Sequence, residues 1–184
     1  MALTPTKKIP LGFLAPEFNL LNPVTNKFEN LNDLKSDIVT VIVFMCNHCP
    51  YVIHVLDQLV QISNDYKSKK VRFIGINSNN IISHPEDSPE KMKTLVKEYN
   101  IPFSYLFDET QEVAKAYDAA CTPDFSVFDK NMKCVYRGQM DSSRPGNNEP
   151  INGSDLREVI DLILNSQPIK KEQIPSIGCN IKWK

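Results

Sequence analysis

The chain has 184 residues, 41% hydrophobic and 23% charged, with a net charge of −1 at pH 7. That length suits one domain with a full hydrophobic core and no need of covalent staples, which leaves the five cysteines available for chemistry. The balanced charge, with basic residues only in dispersed pairs such as Lys7-Lys8, Lys69-Lys70 and Lys170-Lys171, argues against a nucleic-acid or acidic-membrane surface.

Met1 to Pro10 lacks the apolar run of a secretory leader, and no stretch of about 20 apolar residues follows that would cross a bilayer. A cytoplasmic protein is expected, a single domain over 1–184 with 166–184 as a C-terminal tail. In a reducing cytoplasm a disulfide is transient and catalytic rather than architectural.

Phe18 to Leu21 and Lys27-Phe28 flank the turn-rich Asn22-Pro23-Val24-Thr25-Asn26, which predicts a hairpin, with a short helix from Leu31 to Lys35. Ile38 through Met45 is a β-branched apolar run and reads as a strand buried on both faces, as in a parallel sheet. Val52, Val55, Leu56, Leu59 and Ile62 then recur at intervals of three and four, predicting an amphipathic helix from about Cys46 to Tyr66. Pro50 is tolerated only in its first turn.

Cys46-Asn47-His48-Cys49 falls at this strand-to-helix junction, where free backbone N–H groups and the positive helix end favour a thiolate. Two cysteines so spaced close a small disulfide or supply half a zinc site. No second C-x-x-C and no H-x-x-x-H occurs, and His48, His54, His84, Cys121, Cys134 and Cys179 are scattered. Next to a strand-helix-strand pattern the pair reads as redox-active, with metal binding or inert thiols as the alternatives. No cofactor loop is present, Gly75 and Gly138 being isolated, and neither a cofactor nor a metal is expected.

Val71 to Asn77 is a second buried strand, and Ser88-Pro89-Glu90 a helix start whose apolar face carries Met92, Leu95, Val96 and Tyr99. Tyr105-Leu106-Phe107 predicts a short strand. Asp108 and Gln111 have capping-box spacing ahead of a helix with Val113, Ala114 and Tyr117. Phe125 to Phe128 and Cys134 to Gly138 bracket a hairpin turn, and Leu156, Val159, Ile160, Ile163 and Leu164 mark a last helix. Asn77 to Asp87, Asp141 to Asn152 and the tail from Ser166 are the least regular segments and read as surface loops.

This order resembles the thioredoxin fold: an α/β domain with a central mixed sheet flanked by helices, here with an N-terminal hairpin extension and an inserted strand-helix block between Val71 and Tyr99. Thr122-Pro123 matches the position of that fold's cis-proline loop, which faces the dithiol. Gly12-Phe13-Leu14-Ala15-Pro16-Glu17-Phe18-Asn19-Leu20 resembles the G-x-x-A-P-D-F-x-L opening of the alkyl hydroperoxide reductase/thiol-specific antioxidant (redoxin) branch, with Glu17 in place of Asp. Phe44 to Tyr51, Cys121 to Phe125, Arg137-Gly138-Gln139 with Ser143 to Asn147, and Ser176 to Trp183 resemble a bacterial subgroup described as thioredoxin-family or redoxin-domain proteins. Two departures stand out. The P-x-x-x-[T/S]-x-x-C pattern of peroxiredoxins, set on Cys49, meets Ile42 and Cys46, and thioredoxin's buried acid corresponds to Thr40.

The resemblance implies a thiol–disulfide oxidoreductase in which Cys46, the more exposed and more acidic thiol, attacks and Cys49 resolves. His48, between the thiols, is a candidate stabiliser of the Cys46 thiolate, against an exposed histidine that faces solvent, and the resemblance implies that a cis Pro123, against an ordinary trans turn, holds Thr122 extended for a substrate strand to pair with it. The partners implied are protein or low-molecular-weight thiols and disulfides. Hydroperoxides are the alternative substrate, with Cys49 or Cys46 as the peroxidatic thiol. Cys179 and Cys121 are candidates for a third redox thiol, against the plainer reading of Cys121 as a core residue. Arg144 is a candidate stabiliser of a thiolate or peroxide oxyanion, against plain surface, and Cys134 is read as packing. A copper-binding module with Cys46, Cys49 and His54 as ligands is a reading from another class.

Overall fold

A computed structural model describes residues 3–169 and 172–184; Lys170 and Lys171, one of the dispersed basic pairs, lie outside the described residues. In chain order come β1 (Leu3–Pro5), β2 (Asn19–Asn22), β3 (Lys27–Asn30), α1 (Leu31–Leu34), β4 (Val39–Phe44), α2 (Pro50–Lys67) and β5 (Val71–Asn77). A single 3-10 turn (Pro85–Asp87), α3 (Pro89–Glu98), β6 (Ser104–Phe107), α4 (Glu112–Ala116), β7 (Cys121–Thr122), β8 (Asp124–Phe128), β9 (Cys134–Gly138), α5 (Ser154–Leu164) and β10 (Ile177–Asn180) follow.

Seven strands form one mixed sheet in the order β3-β2-β6-β5-β4-β8-β9. β4, β5 and β6 are parallel, while β8 runs antiparallel to β4, and β2 to β6. The apolar run of β4 is buried along its whole length, as expected of a central parallel strand. Its side chains alternate between two layers. Val39, Val41 and Val43 pack with α2, α3 and α5 through Leu56, Leu59, Met92, Leu95, Leu156 and Ile160. Ile42 and Phe44 pack on the opposite face with Leu31, Val113, Ala114, Tyr117 and Phe128. Gly75 makes room on β5: a Cβ there would meet Tyr105 at 3.0 Å and Met45 at 3.1 Å. No described helix is long and apolar enough to cross a membrane.

The central strand, the hairpin of β2 and β3, and α3 fall where the sequence put them. The structure corrects four expectations. First, α2 begins at Pro50, not at Cys46. Proline disfavours the helical region for the residue before it, and Cys49 is accordingly extended, at φ −70° and ψ 121°, as the N-cap. Second, Asp108 and Gln111 do not form a capping box. Gln111 is itself the N-cap of α4, in the left-handed region at φ 66°, and Asp108 reaches past it to accept from Ala114 N at 2.9 Å.

Third, the segment from Asn77 to Asp87 is no plain surface loop. Asn77, Ser78, Asn79 and Asp87 are buried, because their side chains satisfy one another and the backbone. Asn77 Nδ2 donates to the Asp87 carbonyl at 2.8 Å, Asn79 Nδ2 to Asp87 Oδ2 at 2.7 Å, and Ser78 Oγ to Asp108 Oδ2 at 2.8 Å. Fourth, the C-terminal tail contains β10, which lies between β1 and β7 in a second, three-stranded sheet.

Candidate active site: thiols gathered at the start of α2

β4 ends at Phe44, and the chain from Met45 to Cys49 crosses to α2 as a short loop in which Met45, Cys46 and Cys49 are buried and Asn47 and His48 half-buried. Met45 N donates to Ile76 O at 2.9 Å, and Asn47 N donates to Asp87 Oδ1 at 2.7 Å, so the loop is pinned from both β5 and the 3-10 turn. Tyr105, wholly buried below it, donates its hydroxyl to Asn47 Oδ1 at 3.0 Å.

Opposite the loop stands Thr122-Pro123, whose peptide bond is cis. The Thr122 hydroxyl lies 3.4 Å from Cys46 Sγ, and the Thr122 carbonyl accepts from Cys49 Sγ at 3.2 Å. Asp124 fastens this loop from beneath. Its Oδ2 accepts from Ala120 N at 3.2 Å and from Arg137 Nη2 at 3.3 Å, while Arg137 also donates to Tyr117 O and Asp118 O.

The C-terminal segment closes the third side. β10 pairs antiparallel with β7, Cys179 opposite Thr122, and puts Cys179 Sγ 2.9 Å from Cys49 Sγ. The approach requires a glycine beside it, since a Cβ on Gly178 would sit 1.9 Å from the Thr122 carbonyl oxygen. Ser176 Oγ donates to Pro123 O at 2.7 Å before the strand, and Lys182 N to Asn79 Oδ1 at 2.8 Å after it. The backbone edge of Thr122, expected to receive a substrate strand, is therefore occupied by the chain's own C-terminal strand.

Cys46 and Cys49 do not differ in exposure as expected: they are 1% and 0% exposed. The acidic thiol is Cys49. A hydrogen bond from Cys46 is the main cause that lowers it to about 5, with further bonds from Cys179 and Thr122, against the opposing effect of burial. Cys46 is pushed well above its ordinary value by donating to Cys49, by burial and by the Asp87 carboxylate. Cys49, not Cys46, is the N-cap of α2, a position where the positive helix end also favours a thiolate. Burial and the bond to Cys49 push Cys179 up to about 12.

On the far side of Cys46, His48 Nδ1 pairs with Asp87 Oδ2 at 2.8 Å, and its ring stacks on that of His84 at 5.4 Å between centroids. Asp87 was not singled out in the sequence; the signal lay in the density of Asn, Ser and Asp just past the C-terminal end of a central strand, where open α/β sheets hold their ligands. Ligand atoms of Cys46, His48 and Asp87, one from each, lie within 4.8 Å of one another, the one group among the described residues able to hold a metal. The copper set of Cys46, Cys49 and His54 is not assembled, because His54 Nε2 hydrogen-bonds Ser143 Oγ at 2.9 Å.

The other candidates lie apart. Cys121 is buried in β7, with its thiol 3.6 Å from Pro123 O and 3.8 Å from Thr6 Oγ1, and burial pushes its pKa up. Cys134 is buried in β9 and donates to Tyr136 O. Arg144 is half-buried and holds its own loop, donating to Asp141 O at 2.7 Å, Ser143 O at 2.6 Å and Gln139 Oε1 at 2.6 Å.

None of the curated proteins matches this chain. Among solved structures, an uncharacterized conserved protein from Geobacillus kaustophilus is 54% identical, with 100% of this chain and 97% of that one covered and a TM-score of 0.98. A hypothetical protein from Sinorhizobium meliloti 1021 is 39% identical over 98% of each chain, with a TM-score of 0.96. The thioredoxin domain of a thiol-disulfide oxidoreductase from Bacteroides vulgatus is 16% identical over 83% of this chain and 99% of that one; its TM-score of 0.64 shows the shared thioredoxin-like fold. Residues 10–156, which carry the Cys46–Cys49 loop and the cis-proline turn, match the Redoxin family, and the chain belongs to that family of thioredoxin-like thiol redox proteins.

Proposed function

We propose that the protein is a thiol–disulfide oxidoreductase that works through Cys46 and Cys49, on thiols and disulfides of proteins or small molecules in the reducing cytoplasm. The observation that carries this reading is the cis Thr122–Pro123 turn set against both buried sulfurs of the C-x-x-C pair, its hydroxyl 3.4 Å from Cys46 Sγ and its carbonyl 3.2 Å from Cys49 Sγ.

As Cys46 Sγ attacks a substrate disulfide, its proton passes to Cys49 Sγ, a Cys46–substrate disulfide forms, and one substrate sulfur leaves as thiolate. Cys49 Sγ then attacks Cys46 Sγ. The Cys46–Cys49 bond forms, the bond to substrate breaks, and the Cys49 proton goes to the departing sulfur. Two electrons have moved from the dithiol to the substrate, and the reverse sequence oxidises a substrate dithiol. The Thr122 hydroxyl is placed to hydrogen-bond the Cys46 sulfur throughout. The Asp87 carboxylate opposes a Cys46 thiolate, and His48 Nδ1 engages that carboxylate at 2.8 Å. Both thiols are covered, so exchange with another molecule requires β10 or the His48–His84 pair to move.

Exchange is favoured over peroxide reduction because Arg144, the candidate for a peroxide oxyanion, is engaged with Asp141, Ser143 and Gln139. The test is a glutathione redox series read by mass spectrometry of the cysteine peptides. A Cys46–Cys49 disulfide with a potential near about −270 mV identifies a reductant, and one near about −180 mV an oxidant or isomerase. If no Cys46–Cys49 disulfide forms at any poise, the proposal fails.

A further inference from the structure

Three of the five cysteines meet at one place, and the middle one is Cys49. Its sulfur is bonded by Cys46 on one side and lies 2.9 Å from Cys179 Sγ on the other. Cys121 and Cys134 instead direct their thiols at the carbonyls of Pro123 and Tyr136. The strand that carries Cys179 does not pass the site by chance of packing. It is held by backbone pairing to Thr122 and Cys121, by β1 on its outer edge, and by Ile181 N donating to Ala120 O at 3.1 Å. Only a glycine at 178 lets it come so near the Thr122 carbonyl.

We propose that Cys179 is a third redox thiol, so that Cys49 alternates between a disulfide with Cys46 and a disulfide with Cys179 that latches β10 over the Thr122 edge. The proposal rests on the reading of Cys46 and Cys49 as a redox pair. Starting from the Cys46–Cys49 disulfide, Cys179 Sγ attacks Cys49 Sγ. The Cys49–Cys179 bond forms, the Cys46–Cys49 bond breaks, and the Cys179 proton ends on Cys46; no electrons enter or leave. The oxidising equivalent is then stored between α2 and β10, and the edge to which a substrate strand would add is shut by a covalent bond. Attack of Cys46 on Cys49 reverses the step and frees β10. In the reduced protein burial and the contact with Cys49 hold the Cys179 thiol protonated, so that it is no rival nucleophile.

The experiment oxidises the full-length wild type and the Cys46→Ser variant with one equivalent of diamide, a two-electron oxidant of dithiols, then alkylates in acid and maps disulfide peptides by mass spectrometry. The wild type is expected to give both disulfides, with Cys49–Cys179 on the order of a tenth or more of the oxidised Cys49, since neighbouring disulfides interchange by the same exchange chemistry. Cys46→Ser is expected to give Cys49–Cys179 alone. If the wild type forms Cys46–Cys49 while Cys49 and Cys179 stay reduced in a folded Cys46→Ser, the latch is overturned and the dithiol reading stands. If Cys46→Ser forms Cys49–Cys179 but the wild type never forms Cys46–Cys49, the dithiol reading falls and the Cys49–Cys179 pair stands. Should Cys46→Ser not fold by circular dichroism, the wild type decides: a Cys49–Cys179 peptide absent at every poise of a glutathione series overturns the latch.

Discussion

Two irregular segments close on the dithiol from opposite sides, and they bring different chemistry. The loop from Ser78 to Ser88 delivers charge: Asp87 is wholly buried, tied to Asn47, Asn79 and His48, and raises the thiol it faces, Cys46. The C-terminal segment from Ser176 to Lys182 delivers a thiol and a strand, and its Cys179 helps to lower the thiol that it faces, Cys49. Two cysteines three residues apart are made unlike first by the hydrogen bond between them, and then by neighbours that are distant in sequence. A C-x-x-C motif alone fixes which thiols are present, while the elements that fold over it decide where the negative charge rests.

The largest effect that would break this contrast is on pH. The folded pKa of Cys49, about 5, is depressed from an ordinary 9.0, so its contribution to stability is complete above pH 9 and disappears as the pH falls through about 5. The reduced wild type should therefore lose its stability advantage over Cys49→Ser across that window, by up to about 1.4 kcal/mol per pH unit, in urea melts run at each pH. Thiolate absorbance near about 240 nm should rise with the same midpoint in the wild type and not in Cys49→Ser. A midpoint near 9 would remove the asymmetry.

Removal of the buried charge comes next. Asp87→Ala strips the acceptor from Asn47 N, Asn79 Nδ2 and His48 together, at a cost of about 3 kcal/mol in a urea melt. Asp87→Asn keeps an oxygen for Asn47 N, costs about 1 kcal/mol, and lets Cys46 titrate at lower pH, visible as faster alkylation of Cys46 in a Cys49→Ser background. Unchanged alkylation would show that Asp87 is scaffold only.

The other side is tested by Gly178→Ala, whose methyl would collide with the Thr122 carbonyl and push β10 outward. A loss of about 2 kcal/mol is expected, with faster alkylation of both Cys46 and Cys49, as the strand no longer covers them. Slower or equal alkylation would mean that access lies on the His48–His84 side. The smallest effect is the control: Ile82, 86% exposed on the Asp87 side, should tolerate Ile82→Ser within about 0.5 kcal/mol, with the thiol titration unmoved.

Much of this was legible in the sequence where apolar periodicity sets the structure. β4 is apolar but for Thr40, β5 is largely apolar with Arg72 and Asn77 as exceptions, and α2, α3 and α5 carry their core residues at helical spacing, so the scaffold followed from pattern. The Cys46–Cys49 pair and the Thr122–Pro123 step came from motif and order. What escaped was set by polar bonds and long-range pairing. Asp87 is buried only because Asn47, Asn79 and His48 answer its carboxylate, and no periodicity marks that. β10 pairs only with the short β1 and β7, although Ile177, Cys179 and Ile181 do alternate in the manner of a strand. The reversal of the two thiols' acidities follows from the hydrogen bond between them, from burial, and from Cys179 and Asp87, none of which the motif's spacing shows.

The 130 positions between Cys49 and Cys179 also have a meaning in time. At a synthesis rate of about 5–20 residues per second, the dithiol leaves the ribosome roughly 7–26 s before the thiol that covers it. During that interval the nascent chain has its strand β4, its helix α2 and two uncovered cysteines, open to any small disulfide in the surroundings. The strand that seals the site is made well after the dithiol, so the age of a molecule, and not only the redox poise around it, governs which sulfurs its cysteines have met.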